Sequence, residues 1–356
     1  MDLIKVLVVD DSAFMRRVLT DIINSDPRLQ VLDTARNGQD ALDKIASLNP
    51  DVVTMDIEMP AMDGLTALEI LMSRNPVPVI MLSSLTQAGA EQTIKALQIG
   101  AVDFVAKPSG QISLDIENLR DEIIRKIIVA AGTRKKMQNL STIPDFISSG
   151  RSIPSSKKLN NDKQLNKLIV IGTSTGGPKA LNQVLPRLPA NLDAAVLVVQ
   201  HMPAGFTKSL AERLNHISMI KVKEAEDGEQ IIPGCAYIAP GDYHLKVSGQ
   251  PNKNMQKLLV KLNQEPPREG HRPSVDEMFA SVAEQFWGSI VGVIMTGMGH
   301  DGTAGLKYIK NKAATTIAEH KSSCVVYGMP KSAIESGNVD RIVPLQEIAD
   351  EVLKVL

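Results

Sequence analysis

Cysteine, aromatic side chains and net charge are all scarce in this sequence of 356 residues. Two cysteines, Cys235 and Cys324, are too few for a disulfide framework and fit a reducing compartment. A net charge of −1 excludes a global basic field that would attract nucleic acid or anionic lipid. Aromatic residues make up 3% of the chain, which argues against a surface on which single-stranded nucleic acid would stack.

Long apolar runs are also missing. The first run, Ile4–Val9, is too short to cross a bilayer, and no signal-peptide pattern precedes it. We therefore expect a cytoplasmic protein that is not inserted into a membrane and does not bind nucleic acid. The length is greater than one ordinary hydrophobic core requires, and it predicts two domains.

Residues 1–130 alternate short β-branched runs with amphipathic helical patterns. Strands separated by helices predict an α/β domain with a doubly wound parallel sheet. Ser12 is placed to cap the first helix. Ligands of such a sheet bind at the carboxyl ends of its strands. The predicted strands are Val6–Val9, Val31–Ala35, Val52–Met55, Val77–Leu82 and Asp103–Ala106.

A change of composition separates this domain from a second one. Residues 131–166 are rich in serine, asparagine and basic side chains and predict a flexible linker. Residues 167–356 again have an α/β pattern, and Pro/Gly punctuation between about 221 and 263 predicts a partly antiparallel section. Apolar runs of the parallel-strand type are Leu168–Ile171, Ala195–Val199 and Ile290–Met295.

Acidic, hydroxyl and basic side chains follow the predicted strands of the first domain. They are Asp10 and Asp11 after the first strand, Asp56 after the third, Ser83 after the fourth and Lys107 after the fifth. Each alone is typical of a solvated loop, but in a parallel sheet all of them meet at one edge. Carboxylates bind Mg²⁺, and a carboxylate can accept a phosphoryl group as an acyl phosphate. Lys107 would pair with the phosphoryl charge.

This set of residues resembles the receiver domain of two-component response regulators. The resemblance is carried by Asp10-Asp11, Asp56–Gly64, Ser83 and Lys107-Pro108. It implies a flavodoxin-like sheet, Asp56 as phosphoacceptor and a chemotaxis histidine kinase as phosphodonor. It also implies Ser83 as the switch hydroxyl and Phe104 as the aromatic residue that turns inward with it.

The same resemblance implies a magnesium site in the receiver. Asp11, Asp56 and the backbone carbonyl of Glu58 would bind Mg²⁺, and Asp10 would support it through water. The ion would serve phosphorylation alone, because the chemistry of the second domain implies no cofactor.

A glycine-rich turn, Gly172–Pro178, follows the first strand of the second domain and opens a helix. Backbone N–H groups at such a turn can stabilise an oxyanion beside Ser174. Gly-x-Ser-x-Gly matches a nucleophile elbow, although a glycine-rich turn could equally cradle a phosphate. The Rossmann and P-loop spacings are missing. Thr175 and Met298 are candidates for the oxyanion loops.

A histidine and an aspartate also follow strand ends in the second domain. His201 comes after Ala195–Val199, and Asp301 comes after Ile290–Met295, as a serine triad requires. His271 and His300 lie beside glycines and are credible alternative bases, and Asp301 could be only a turn residue. The flanks of Cys235 and Cys324 do not indicate activated thiols. Three further histidines lie in polar segments and are expected to be solvated: His216, His244 and His320.

Motifs across nearly all of residues 167–350 resemble the catalytic domain of chemotaxis methylesterases. They are Gly172–Pro178, Gln200–Pro203, His271–Asp276, Met295–Gly302 and Cys324–Pro330. The resemblance implies a Rossmann-like hydrolytic domain with Ser174 as nucleophile, His201 as base and Asp301 as the residue that orients it. His271 and His300 would shape the site. The implied substrates are γ-glutamyl methyl esters on methyl-accepting chemoreceptors, and some relatives also deamidate receptor glutamines.

We therefore expect a methylesterase whose receiver covers the Ser174 site until Asp56 is phosphorylated. One alternative is a receiver-regulated binding module with an inactive hydrolase-like domain, although all three triad candidates are present. The other is a transcription factor. The sequence has no basic recognition-helix pattern, and its second domain has strands where a helix-turn-helix protein has helices.

Overall fold

The structure is a computed structural model that describes residues 3–107, 116–134, 164–250, 257–312 and 314–356. The chain divides into two compact units, residues 1–149 and 150–356. Most of the predicted linker, 131–166, lies outside the described residues, as does Pro108. The boundaries at 130 and 167 therefore stay predictions.

The described residues of the first unit alternate five strands with five helices. In chain order they are β1 (Ile4–Val9), α1 (Ala13–Asn24), β2 (Leu29–Ala35), α2 (Gly38–Leu48), β3 (Val52–Asp56), α3 (Gly64–Arg74), β4 (Val79–Ser83), α4 (Gln87–Ile99), β5 (Asp103–Ala106) and α5 (Ile116–Ala131). The strands pair in parallel in the order β2-β1-β3-β4-β5. This is the flavodoxin-like order, which confirms the predicted fold class.

Local sequence explains where these elements begin. Ser12 caps α1 by accepting a hydrogen bond from Met15 N, as predicted. The fourth strand begins at Val79 rather than Val77, because Pro78 has no N–H to offer the ladder. The central strands are buried on both faces, which is why they are continuous apolar runs.

The second unit contains nine strands and six α-helices among its described residues. In chain order they are β6 (Lys167–Thr173), α6 (Gly177–Val184), β7 (Ala195–Gln200), α7 (Phe206–Ile217), β8 (Lys221–Glu224), β9 (Cys235–Ile238), β10 (His244–Gln250), β11 (Lys257–Asn263), α8 (Val275–Gln285), β12 (Ser289–Ile294), α9 (Thr303–Lys310), β13 (Thr315–Glu319), α10 (Met329–Glu335), β14 (Arg341–Val343) and α11 (Leu345–Val355).

Seven of these strands form one parallel sheet in the order β14-β13-β12-β6-β7-β9-β8. The antiparallel section predicted between about 221 and 263 is a separate two-stranded sheet, β10–β11. Strand β6 lies at the centre of the large sheet, and the chain continues to β7 on one side and later returns to β12 on the other. Such a reversal of direction places a ligand-binding crevice at the carboxyl end of β6.

Helix starts in the second unit follow local signals too. Pro178 lies in the first turn of α6, where its missing N–H is harmless. Residues 274–277, Ser-Val-Asp-Glu, have the sequence of a capping box, which predicts a helix start, and Ser274 caps α8 by accepting a hydrogen bond from Glu277 N. In the part of the chain that the structure describes, no helix has the length and apolarity needed to cross a membrane.

Candidate active site and phosphoacceptor site

Three carboxylates converge at the carboxyl edge of the first sheet. Asp10, Asp11 and Asp56 each offer an oxygen, and these oxygens lie within 4.8 Å of one another. Lys107 Nζ lies 2.9 Å from Asp10 Oδ2 and 2.7 Å from Asp56 Oδ2. The structure therefore brings together four residues that the sequence places after three different strands. Oxygen donors of this kind and number fit Mg²⁺.

The environment of Asp56 disfavours its charged form when no cation is bound. Asp56 is 5% exposed. Burial raises the pKa of Asp56 to about 6, and the charges of Asp10 and Asp11 add to this rise, while Lys107 opposes it. One ammonium for three carboxylates leaves an excess of negative charge, which a divalent cation would neutralise.

A stability measurement tests this electrostatic arrangement. Between about pH 4 and 6 the unfolded chain loses the Asp56 proton while the folded chain keeps it, so folding stability falls as pH rises through this window. We expect Asp56→Asn to stabilise the receiver at pH 7.5 in EDTA, by on the order of 2 kcal/mol. Mg²⁺ should stabilise the unsubstituted protein and leave Asp56→Asn nearly unchanged.

Calorimetry of the full chain with EDTA and with Mg²⁺ makes this measurement. Asp43→Asn is a matched control, because Asp43 is an exposed carboxylate on α2. An Asp56→Asn variant no more stable than Asp43→Asn in EDTA would contradict the expectation.

The switch candidates lie beside this cluster. The buried Ser83 hydroxyl donates to Gly89 O at 3.1 Å and accepts from Thr93 Oγ1 at 2.7 Å, so it is engaged with α4. It would have to leave these partners to meet a phosphoryl group on Asp56. Phe104 is buried, at 3% exposure. Glu58 is exposed and lines the same open pocket as Asp11.

In the second unit, Ser174 and His201 follow neighbouring strand ends that are in register. Thr173, the last residue of β6, pairs with Gln200, the last residue of β7. His201 N donates to Thr173 O at 3.1 Å. The Gln200 amide donates to the carbonyls of both Ser174 and His201, each at 3.0 Å. Sequence reasoning treated Gln200 only as part of a motif and missed this bridging role.

Asp301 reaches His201 from the loop after β12. Asp301 Oδ2 lies 2.8 Å from His201 Nε2, and both side chains are buried. His201 Nδ1 is also buried, and no described residue forms a hydrogen bond with it. Because Nε2 donates to the carboxylate, Nδ1 is the nitrogen left to accept a proton. In the described residues, no hydrogen bond joins Ser174 Oγ to His201.

Asp301 is held ionised at the start of α8. Its carboxylate accepts hydrogen bonds from Ser274 Oγ at 2.9 Å, Val275 N at 2.7 Å and Asp276 N at 3.0 Å. Burial alone would raise the pKa of Asp301, but the His201 bond and these N–H groups lower it to about 2. A helix N-terminus also favours a negative charge. The capping-box pattern located Ser274 but not its bond to Asp301.

The two alternative bases have different surroundings. The His271 ring stacks on the His201 ring, with centroids 4.1 Å apart and planes 14° from parallel. His300 is 63% exposed at its side chain, and its Nε2 lies 2.9 Å from Glu269 Oε2. His271 therefore contacts the candidate base, whereas His300 contacts a glutamate at the surface.

One of the histidines predicted to be solvated is not. His244 is 1% exposed, and its Nε2 donates to Pro266 O at 3.2 Å. The prediction was wrong because His244 begins β10 and is covered by the segment that carries Pro266, which local polarity does not reveal. His216 and His320 are exposed, as predicted.

Neither cysteine has the surroundings of an activated nucleophile. Burial raises the pKa of the Cys235 thiol to about 11, so the reactive thiolate is disfavoured. Cys324 is buried, and its Sγ lies 3.4 Å from His320 O and 3.6 Å from Glu319 O, where it acts as a weak donor. Cys324 thus has a packing environment.

The oxyanion candidates flank Ser174. Thr175 is buried, and its carbonyl accepts a hydrogen bond from Thr296 Oγ1 at 2.9 Å. Met298 is half-buried in the loop after β12. A Cβ on Gly297 would lie 2.9 Å from Ser174 Cβ, so glycine allows that loop to approach the serine. The oxyanion role of Thr175 and Met298 stays a prediction.

Fold and site together define a two-domain protein, in which an acidic receiver-type sheet edge is followed by an α/β domain with a His-Asp pair at the strand end next to Ser174. Comparison with known proteins gives the family. Residues 169–352 match the CheB methylesterase family, and residues 6–117 match the response regulator receiver domain. The chain belongs to the CheB methylesterase family and carries a response regulator receiver domain.

Full-length relatives and a solved structure agree with this assignment. A Syntrophomonas wolfei protein named protein-glutamate methylesterase/protein-glutamine glutaminase 1 is 57% identical over 99% of each chain. A protein of Halalkalibacterium halodurans named protein-glutamate methylesterase/protein-glutamine glutaminase is 53% identical over 99% of this chain and 98% of its own. The crystal structure of the Thermotoga maritima CheB methylesterase catalytic domain has a TM-score of 0.51 and 46% identity, and covers 54% of this chain and 99% of that one.

Proposed function

We propose that this chain hydrolyses γ-glutamyl methyl esters of chemoreceptors in the cytoplasm, releasing methanol and leaving glutamate. One observation carries the proposal. At the strand end next to Ser174, the His201 ring is bound through Nε2 to Asp301, and its buried Nδ1 has no partner among the residues that the structure describes. The names of full-length relatives support the same chemistry and add the deamidation of protein glutamine.

In the acylation step, Ser174 Oγ attacks the ester carbonyl carbon and its proton moves to His201 Nδ1. Ionised Asp301 stabilises the imidazolium through Nε2. Backbone donors near Thr175 and Met298 would stabilise the oxyanion. The bond to the methoxy group then breaks, and His201 returns its proton to that oxygen, so methanol leaves.

Deacylation repeats the proton transfers with water. A water molecule gives a proton to His201 Nδ1 and attacks the acyl carbon, and the bond to Ser174 Oγ breaks as His201 returns the proton. The products are a glutamate side chain and free enzyme. A glutamine side chain would follow the same steps, with ammonia leaving in place of methanol.

The receiver would control this reaction. A histidine kinase would donate the phosphoryl group, whose bond to histidine breaks as Asp56 Oδ bonds to phosphorus. Asp11, Asp56 and the Glu58 carbonyl would hold Mg²⁺, with Asp10 supporting it through water, and the ion would neutralise the carboxylate and phosphoryl charges. The Lys107 ammonium would then pair with the phosphoryl group.

Methanol release from methylated receptor membranes tests the proposed activity. The chain should release methanol and generate free carboxylates in equal amounts. A receiver-regulated binding module would bind the membranes without releasing methanol, and a generic ester substrate gives a second test of catalysis. Absence of hydrolysis from both substrates would favour the binding module.

Regulation gives a separate expected result. A phosphodonor with Mg²⁺ should accelerate methanol release by the full chain, and Asp56→Asn should remove only this response. A protein that begins near Lys167 should be active without phosphate, because the proposed control is steric. This protein contains the compact second unit from its first strand onward. If it were no faster than the unphosphorylated full chain, occlusion by the receiver would be excluded.

A further inference from the structure

Two helices that begin beside Asp301 cap each other. The Asp301 carboxylate accepts the N–H groups of Val275 and Asp276 at the start of α8. In return, Asp276 Oδ1 accepts the N–H of Gly305, in the first turn of α9, at 2.6 Å. Each aspartate lies at the N-terminus of one helix, and its carboxylate accepts hydrogen bonds from backbone N–H groups of the other helix. The position of Asp301 therefore depends on both contacts.

The two helices touch at this point. A Cβ on Gly305 would lie 2.6 Å from Phe279 Cβ and 3.1 Å from Asp276 Oδ1, so only glycine lets α9 approach α8 this closely. Asp276 is 4% exposed. Because Asp301 lies two residues before the start of α9, this close contact helps to fix the position of Asp301 relative to α8.

The choice of a carboxylate at residue 276 is not explained by capping alone. Neutral serine or asparagine caps a helix about as well as aspartate. Burial raises the pKa of Asp276, and the charge of Asp301 adds to the rise, against the Gly305 N–H and the Arg268 guanidinium. A buried carboxylate beside another is unfavourable for folding, and such groups cluster at functional sites.

Arg268 connects Asp276 to His271, which contacts the His201 ring as Asp301 does. Arg268 Nε lies 3.7 Å from Asp276 Oδ2, and its Nη1 lies 2.8 Å from Glu277 Oε1. The backbone of Arg268 exchanges two hydrogen bonds with that of His271, at 2.9 and 3.1 Å. The His271 ring stacks on His201. Asp276 therefore contacts Asp301 directly and is connected to His271 through Arg268. Asp301 and His271 both contact the His201 ring.

We propose that Asp276 is a positioning residue for the reaction. Through its N–H, its cap on α9 and its ion pair with Arg268, it holds Asp301 on the edge of the His201 ring and His271 on its face. This inference rests on the proposed roles of His201 and Asp301. Asp276 has no role in bond making, because it is connected to His201 only through Asp301 on one side and through Arg268 and His271 on the other.

Substitution of Asp276 in the full-length protein tests the proposal. We expect Asp276→Ala to lower kcat for methanol release by up to about 100-fold with KM nearly unchanged, since misplacement rather than binding is affected. Asp276→Asn keeps an oxygen for Gly305 N and should recover part of this loss.

Proton NMR measures the alignment of His201 and Asp301 without substrate. The proton between His201 Nε2 and Asp301 should give a downfield signal in the unsubstituted protein that is lost in Asp276→Ala and restored in part by Asp276→Asn. If the protein proved not to be an esterase, this signal and its change in the Asp276 variants would still be expected. The NMR result therefore distinguishes failure of the positioning role from failure of the proposed function.

Asp340→Asn is the matched control, because Asp340 holds the other end of α9. It pairs with Lys310 in the last turn and accepts a hydrogen bond from Thr316 N at 2.9 Å. This variant should lose stability while keeping kcat and the NMR signal. The proposal is overturned if Asp276→Ala keeps the signal, or if its kcat falls no further than that of Asp340→Asn.

Discussion

Replacing Ser174 by alanine is expected to reduce methanol release by about 10³-fold or more, the size of effect that follows loss of a triad nucleophile. The fold should persist, because the bonds that hold this turn use the backbone of Ser174. Its N–H donates to Thr296 O at 3.1 Å, and its carbonyl accepts from Gln200. Circular dichroism and thermal unfolding check the fold, and methanol release from receptor membranes checks the activity.

A serine outside the site provides the control for this substitution. Ser336 is exposed after α10, and its hydroxyl donates to Ala333 O. Ser336→Ala should keep both stability and activity. Activity of a folded Ser174→Ala variant close to that of Ser336→Ala would remove Ser174 from the mechanism.

Replacing His201 by glutamine is expected to lower kcat by about 10³-fold or more, because glutamine cannot accept and return the serine proton. His300→Gln should change kcat by only a few-fold, since His300 pairs with Glu269 on the surface. His271→Gln should fall between the two, because it removes the ring stacked on His201.

The order of these three variants is the decisive measurement. His300→Gln serves as the exposed-histidine control, measured under the same saturating substrate. A His300→Gln variant with the lowest kcat of the three would refute the assignment of His201 as base. The role of the adjacent Asp301 would then also need reassignment.

The positions of the acidic cluster and of Ser174 were predictable from sequence because parallel sheets have a simple geometry. Apolar runs identify the strands, and the residues that follow them, such as Asp56 and Lys107, must lie at one edge. The same rule placed Ser174 and His201 at neighbouring strand ends. Helix starts at Ser12 and Ser274 were also predictable, because capping depends on a few residues adjacent in the chain.

Burial of individual loop residues could not be predicted in this way. His244 lies in a polar stretch yet is buried beneath Pro266, a residue more than 20 positions away along the chain. An antiparallel section of the sheet was predicted here, but the sequence did not predict that β10–β11 would form a separate sheet, in which β10 packs against α8. Composition and periodicity are properties of short stretches of sequence, and they do not indicate which distant residues will pack together.

The sequence by itself determined the two-domain α/β organisation and the set of residues able to do the chemistry. Tertiary structure alone decided how those residues are arranged: Asp301 binds Nε2 of His201, His271 stacks on the ring, and His300 turns to Glu269. It also decided that Asp276 and Asp301 cap each other's helices. The physical reason is that side-chain directions in loops follow from contacts between residues far apart in the chain, such as His201 and Asp301, which are separated by 100 positions.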